Sequence, residues 1–103
     1  MDITVQELRQ KLESGEKFVL IDVREPWEHQ DFNIGGQLIP VGAMMTRFGE
    51  LEDHKNDEIV LYCRSGARSG TVQALLQAKG FANVRNLLGG MLAWRDAFGV
   101  AKP

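Results

Sequence analysis

Leu61-Tyr62-Cys63-Arg64-Ser65-Gly66-Ala67-Arg68-Ser69-Gly70 is the stretch on which the reading of this chain turns. The apolar run from Ile59 to Tyr62 reads as a short buried strand and delivers the only cysteine of the protein. After Ser69 a helical pattern runs to about Lys79. The thiol is therefore expected at a strand end, with a loop of small residues leading into a helix N-terminus. Such a loop turns several backbone N–H groups toward one point, which suits an anion. The same field favours thiolate over thiol, and the thiolate is the nucleophile. Arg64 and Arg68 add two positive charges, and no acid occurs between Glu58 and Asp96. A lone cysteine is more often an inert core residue. A merely structural turn, however, has no use for two cations flanking its small residues. The stretch reads as a nucleophile seated in an anion cradle.

Outward from the loop, strand and helix signals alternate. Thr4-Val5-Gln6-Glu7 has the spacing of a capping box, Val5, Leu8 and Leu12 share one helical face, and Gly15 is a natural stop. Phe18 to Val23 is a nearly continuous apolar run, expected as a strand buried on both faces. Pro26 opens a short helix through Trp27 and Gln30. Gly35-Gly36 marks a turn, Leu38 to Val41 a brief extended piece, and Ala43 to Leu51 a helix. A charged connection, Glu52 to Asp57, leads to the Ile59 strand. After the cysteine loop and its helix, Val84 to Leu87 forms another strand and Met91 to Phe98 a last helix. This alternation implies an α/β fold with a mostly parallel sheet covered on both faces. Ligands of such sheets bind at the carboxyl ends of the strands, where Cys63, Asp22 and Arg24 all fall.

The chain has 103 residues, 44% apolar and 25% charged, which suits one domain over residues 1–103 with a single core. No apolar run approaches a membrane span. Met1-Asp2-Ile3-Thr4 has neither a charged n-region nor an apolar h-region, so no secretion is expected. One cysteine excludes an internal disulfide and a multi-cysteine metal site. A thiol enzyme in a reducing cytoplasm fits these features. The net charge of −2 predicts no general attraction to nucleic acid. Its distribution is uneven: residues 1–58 carry −7 and residues 59–103 carry +5. The cysteine loop lies in the positive part, as a small anionic ligand would require.

Cys63-Arg64-Ser65-Gly66-Ala67-Arg68 resembles the active-site loop of the rhodanese (sulfurtransferase) family. Asp22-Val23-Arg24-Glu25-Pro26-Trp27-Glu28 resembles the Asp-Val-Arg-Glu segment near the start of rhodanese domains. Gly80-Phe81, Val84, Leu87-Leu88-Gly89-Gly90 and Ala93-Trp94 resemble their closing segment. Ile34-Gly35-Gly36 through Ile39-Pro40 resembles a further segment, with Phe32, Asn33 and Gln37 departing from the usual residues. The resemblance implies roughly five parallel strands between helices. It also implies sulfur transfer, in which the Cys63 thiolate takes a sulfane sulfur, becomes a persulfide and passes the sulfur to an acceptor. Tyrosine phosphatases carry one more residue between Cys and Arg, so the loop length speaks against phosphoester chemistry.

On this reading Cys63 is the nucleophile, and the loop amides stabilise the terminal sulfur. Arg68 closes the loop and holds the anion, and Arg64 sits at the rim, where it could bind a sulfonate oxygen. Ser65, Gly66, Ala67 and Ser69 complete the cradle, although Ser69 could simply cap the helix. Asp22 and Arg24 share a strand face and are expected to form a charge network with Arg68. His29 and His54 lie in polar sequence without metal-ligand spacing and are expected at the surface. Trp27, Trp94 and Phe98 are expected in the core, as are Met44 and Met45. No metal or organic cofactor is called for. The expected partners are a small anionic sulfur donor such as thiosulfate and a cyanide or thiol acceptor, the latter possible on a protein. The alternative is a persulfide relay or docking module serving a partner protein without small-molecule turnover.

Overall fold

The computed structural model describes residues 1–100. Helix α1 (Val5–Ser14) is followed by strand β1 (Val19–Asp22), helix α2 (Pro26–Asp31) and the two-residue strand β2 (Gln37–Leu38). Helix α3 (Val41–Arg47) runs into a 3₁₀ segment (Phe48–His54), then come β3 (Glu58–Tyr62), α4 (Ala67–Ala78), β4 (Asn83–Asn86) and α5 (Gly90–Phe98). The expected capping box is present: Thr4 Oγ1 accepts from the Glu7 amide, and Glu7 accepts from the Thr4 amide. Gly15 ends α1 in the left-handed conformation. The extended piece expected at Leu38 to Val41 stops earlier, because Pro40 caps α3 and Val41 already belongs to that helix.

Among the described residues four strands form one parallel sheet in the order β2-β1-β3-β4. The fifth strand implied by the resemblance is reduced to a single bridge between Ile3 and Leu87. Ile3 donates to the Asn86 carbonyl and accepts from Leu88, but Thr4 then caps α1 and ends the pairing. β1 and β3 occupy the middle of the sheet and are buried on both faces, which explains their unbroken apolar runs. Alternation along them divides the core. Ile21, Val23, Ile59, Leu61 and Cys63 pack on one side with Met44, Leu51, Val72 and Leu76. Leu20, Val60 and Tyr62 pack on the other with Leu8, Met91 and Trp94. Asp22 pairs in register with Tyr62, so β1 and β3 finish level and present their next residues at one rim. That rim holds the cysteine loop.

Candidate functional site

Cys63 follows the last residue of β3 and is 1% exposed. Its Sγ accepts from the Gly66 amide at 3.1 Å, the Ser69 amide at 3.5 Å and the Ser69 hydroxyl at 3.3 Å. Gly66 adopts φ 102°, a conformation that glycine enters without a Cβ penalty, and this aims its N–H back at the sulfur. α4 begins at the next residue, so Ser69 lies in the first turn, where amides have no intrahelical acceptor. One of those amides is spent on Cys63. Ser69 is therefore not the helix cap that the sequence left open; Gly66 takes that position and Ser69 is buried against the sulfur.

The outer side of the loop is fixed by α5. Met91 and Leu92 donate to the Cys63 and Arg64 carbonyls at 2.9 and 3.0 Å. These two bonds satisfy first-turn donors of α5 and hold the loop carbonyls away from the sulfur. Asn86, the last residue of β4, braces the loop from below. Its Nδ2 donates to the Gly66 carbonyl at 3.0 Å, and its Oδ1 accepts from the Ser69 hydroxyl at 2.5 Å.

Burial pushes the Cys63 thiol up. The hydrogen bonds from the Ser69 hydroxyl and amide, and from the Gly66 and Ser65 amides, outweigh that effect. The net result is a thiol more acidic than an ordinary cysteine. Hydrogen bonds to a charged acceptor contribute about 1.5–3 kcal/mol each, so several converging donors can offset the loss of hydration.

The charged residues are grouped otherwise than expected. Arg68 makes a two-pronged pair with Glu28 of α2, Nη1 to Oε1 at 2.6 Å and Nη2 to Oε2 at 2.9 Å. The Arg68 bonds hold the Glu28 carboxyl down to about 2. Asp22 and Arg24 do not join Arg68. Asp22 is fully buried and accepts from Arg24 Nε and Nη2 and from the Arg24 amide, while His29 Nδ1 lies 2.8 Å from its second oxygen. Arg24 also donates to the Phe32 carbonyl at 2.6 Å. His29 is thus half-buried in a charge cluster and not the free surface residue expected, whereas His54 reaches Asp57. Arg64 is exposed, as are Ser65 and Ala67. A cleft of about 190 Å³ opens beside the loop, walled by Arg24, Trp27, Glu28, Arg64, Leu92 and Arg95. Trp27 is 70% exposed there and is not a core residue; Met45 is exposed too, while Met44 and Trp94 are buried.

The model of the rhodanese-like domain matches residues 4–97. The chain belongs to the rhodanese-like domain family. A protein named "Sulfurtransferase" from Allochromatium vinosum is 37% identical over 94 residues, covering 90% of this chain and 86% of that protein. "Probable adenylyltransferase/sulfurtransferase MoeZ" from Mycobacterium tuberculosis is 41% identical over 93 residues, but this chain spans only 24% of its length. A rhodanese-like domain protein from Staphylococcus aureus superimposes with a TM-score of 0.80 at 33% identity, covering 100% of this chain and 99% of the other.

Within this rhodanese-like domain, three residues around the loop escaped the sequence reading. Glu28 was one acid among several between Glu25 and Asp31, and nothing local marks it as the partner of Arg68. His29 lies next to it without any spacing signal. Asn86 carried a usable one: it is a polar residue near the end of the strand Val84 to Leu87, at the rim where the other strand ends converge. Asn33, where the chain departs from the family pattern, bonds locally, donating to the His29 carbonyl and accepting from the Gly35 amide.

Proposed function

We propose that the chain is a sulfurtransferase that carries sulfane sulfur on Cys63, with thiosulfate as its simplest donor. The observation behind this reading is the set of donors converging on a nearly buried Sγ. In the proposed reaction the Cys63 thiolate attacks the outer sulfur of thiosulfate. The S–S bond of the donor breaks, and sulfite leaves with its electron pair. The negative charge passes to the terminal sulfur of the new persulfide, where the loop amides meet it. Cyanide or a thiolate then attacks that sulfur, departs with it and returns Cys63 as thiolate. No external oxidant or reductant enters. Arg64, free at the rim, takes a sulfonate oxygen; Arg68, held by Glu28, keeps the loop closed.

Mass spectrometry of the protein before and after thiosulfate tests the reading. A gain of about 32 Da on the peptide bearing Cys63, reversed by cyanide, is the expected result. Absence of any sulfur adduct on Cys63 would refute it. A persulfide relay serving a partner protein is favoured by one observation: Glu28 pairs with Arg68, one of the two cations of the loop, and so weakens the attraction for a free dianion. Rapid loading from a protein persulfide, with negligible turnover of thiosulfate, would identify that second role.

A further inference from the structure

The Ser69 hydroxyl faces two acceptors at once. Its oxygen lies 3.3 Å from Cys63 Sγ and 2.5 Å from Asn86 Oδ1. A serine hydroxyl carries one hydrogen. The orientation of the Asn86 amide is settled at its other end, because Nδ2 meets the Gly66 carbonyl and a carbonyl only accepts. Oδ1 is therefore the atom turned toward Ser69, and it needs a donor. With Cys63 protonated every need is met: S–H donates to Ser69 Oγ, and Ser69 donates to Asn86. With Cys63 ionised there is one hydrogen too few. Either the thiolate or Oδ1 goes without the Ser69 proton, with Cys63 and Ser69 buried and Asn86 partly buried.

We propose that Ser69 and Asn86 form a one-proton switch beneath the cysteine loop. In it Asn86 is a positioning residue that draws the hydroxyl off the sulfur whenever Sγ carries no net charge. The idea rests on the Cys63 chemistry proposed above. In the free thiolate the hydroxyl turns to Sγ and Oδ1 loses its donor. Once a persulfide forms, the charge sits on the terminal sulfur and Sγ becomes a weak, divalent acceptor. The hydroxyl then returns to Asn86. The switch is a rotation about the Cβ–Oγ bond, and no proton leaves Ser69. Asn86 thus withholds part of the stabilisation that Ser69 gives the thiolate. That keeps the sulfur more nucleophilic, since thiolate reactivity falls as the thiolate is stabilised, and it favours the loaded state.

The charged groups of the elements around the loop are Arg64, Arg68 with Glu28, the Asp22, Arg24 and His29 cluster, and Asp2, whose Oδ1 accepts from the Asn86 amide at 3.2 Å. Farther out, Arg47 of α3 is paired with Glu50, Arg85 of β4 with Glu58, and Arg95 of α5 faces Asp31. None of them is altered in the variants below, so changes in thiol ionisation report on the hydroxyl.

The test is the pH dependence of iodoacetamide alkylation in the wild type, Ser69→Ala, Asn86→Ala and the double variant. Ser69→Ala is expected to raise the midpoint. Asn86→Ala is expected to lower it by about half to one pH unit, roughly a three- to tenfold gain in thiolate at a fixed acidic pH. In the Ser69→Ala background the same change should produce no lowering. The Gly66 brace is lost in both backgrounds, so the difference isolates the hydroxyl. An Asn86→Ala shift of equal size with and without Ser69 overturns the switch. Should Asn86→Ala fail to fold, Asn86→Leu keeps the volume and removes the acceptor without adding a charge. It should lower the midpoint as Asn86→Ala does, and that lowering should vanish without Ser69; an equal lowering in both backgrounds again overturns the proposal. Alkylation needs no sulfur donor. A coupled titration in a protein that never loads sulfur would refute the proposed function alone, and loading without coupling would refute the switch alone.

Discussion

Arg68 and Glu28 lie 40 residues apart in sequence and meet as a parallel pair of hydrogen-bonded charges, at 2.6 and 2.9 Å. The Glu28 side chain is 10% exposed and that of Arg68 35%. A cation that sequence placed free in the anion cradle is therefore neutralised and tied to α2. Its field at the sulfur is reduced, and its mechanical hold on the start of α4 is increased.

Glu28→Gln is expected to destabilise the protein by about 2 kcal/mol, a value discounted from that of a fully buried pair because Arg68 keeps part of its side chain in water. For a domain of this size that is roughly 10 °C in Tm. The pH dependence follows from the depressed carboxyl. A group ionised down to about 2 in the folded state, against 4.5 ordinarily, adds stability that is complete above 4.5 and is lost as pH falls toward 2. Urea unfolding at pH 6, 4 and 3 should show the wild-type advantage over Glu28→Gln shrinking across that window. A constant advantage would mean that the pair is not the source.

Arg64 and Arg68 should separate in kinetics. Arg64 is exposed and has no carboxylate partner among the described residues, so it can bind an incoming anion without first giving one up. Arg64→Ala is expected to raise the thiosulfate KM roughly fivefold with kcat little changed, the pattern of uniform binding. Arg68→Ala should lower kcat as well, because it frees α2 from the loop and leaves Glu28 unpaired. Steady-state rates at two salt concentrations would show whether an unchanged KM in Arg64→Ala removes the electrostatic argument.

Cys63 should alkylate with a midpoint below that of a free cysteine, about 8.5. The expectation follows from donors outweighing burial at Sγ. A midpoint at or above the free value would show that the cradle does not activate the thiol. Cys63→Ser should abolish sulfur loading from every donor, since the chain has no second thiol.

Gly90→Ala should harm the loop from the outside. Gly90 has φ 53°, and a Cβ there would lie 2.5 Å from the Cys63 carbonyl oxygen and 2.6 Å from that of Arg64. Both contacts are backbone, so no side chain can move aside. The loop or the start of α5 must shift, and we expect a loss of about 3 kcal/mol or more in stability, or a tenfold or greater fall in turnover. Thermal unfolding and activity measured together would detect either, and a variant normal in both would contradict the tight packing.

What the sequence determined by itself was local or periodic. The capping box at Thr4 and Glu7, the stop at Gly15 and the helix read after Ser69, which in the structure begins at Ala67, depend on residues within a turn of one another. The two central strands were legible because burial on both faces leaves an unbroken apolar run. The place of Cys63 at a strand end followed from those same signals. Only the tertiary structure decided the pairing of charges and the strand count. Glu28 reaches Arg68, Asn86 reaches Ser69 and His29 reaches Asp22 because three strand ends and α2 converge at one rim, and neither charge nor polarity carries a sequence period that names its partner. Trp27 shows the same limit from the other side: its size argued for the core, but α2 turns Glu28 inward, and the ring is left facing the cleft.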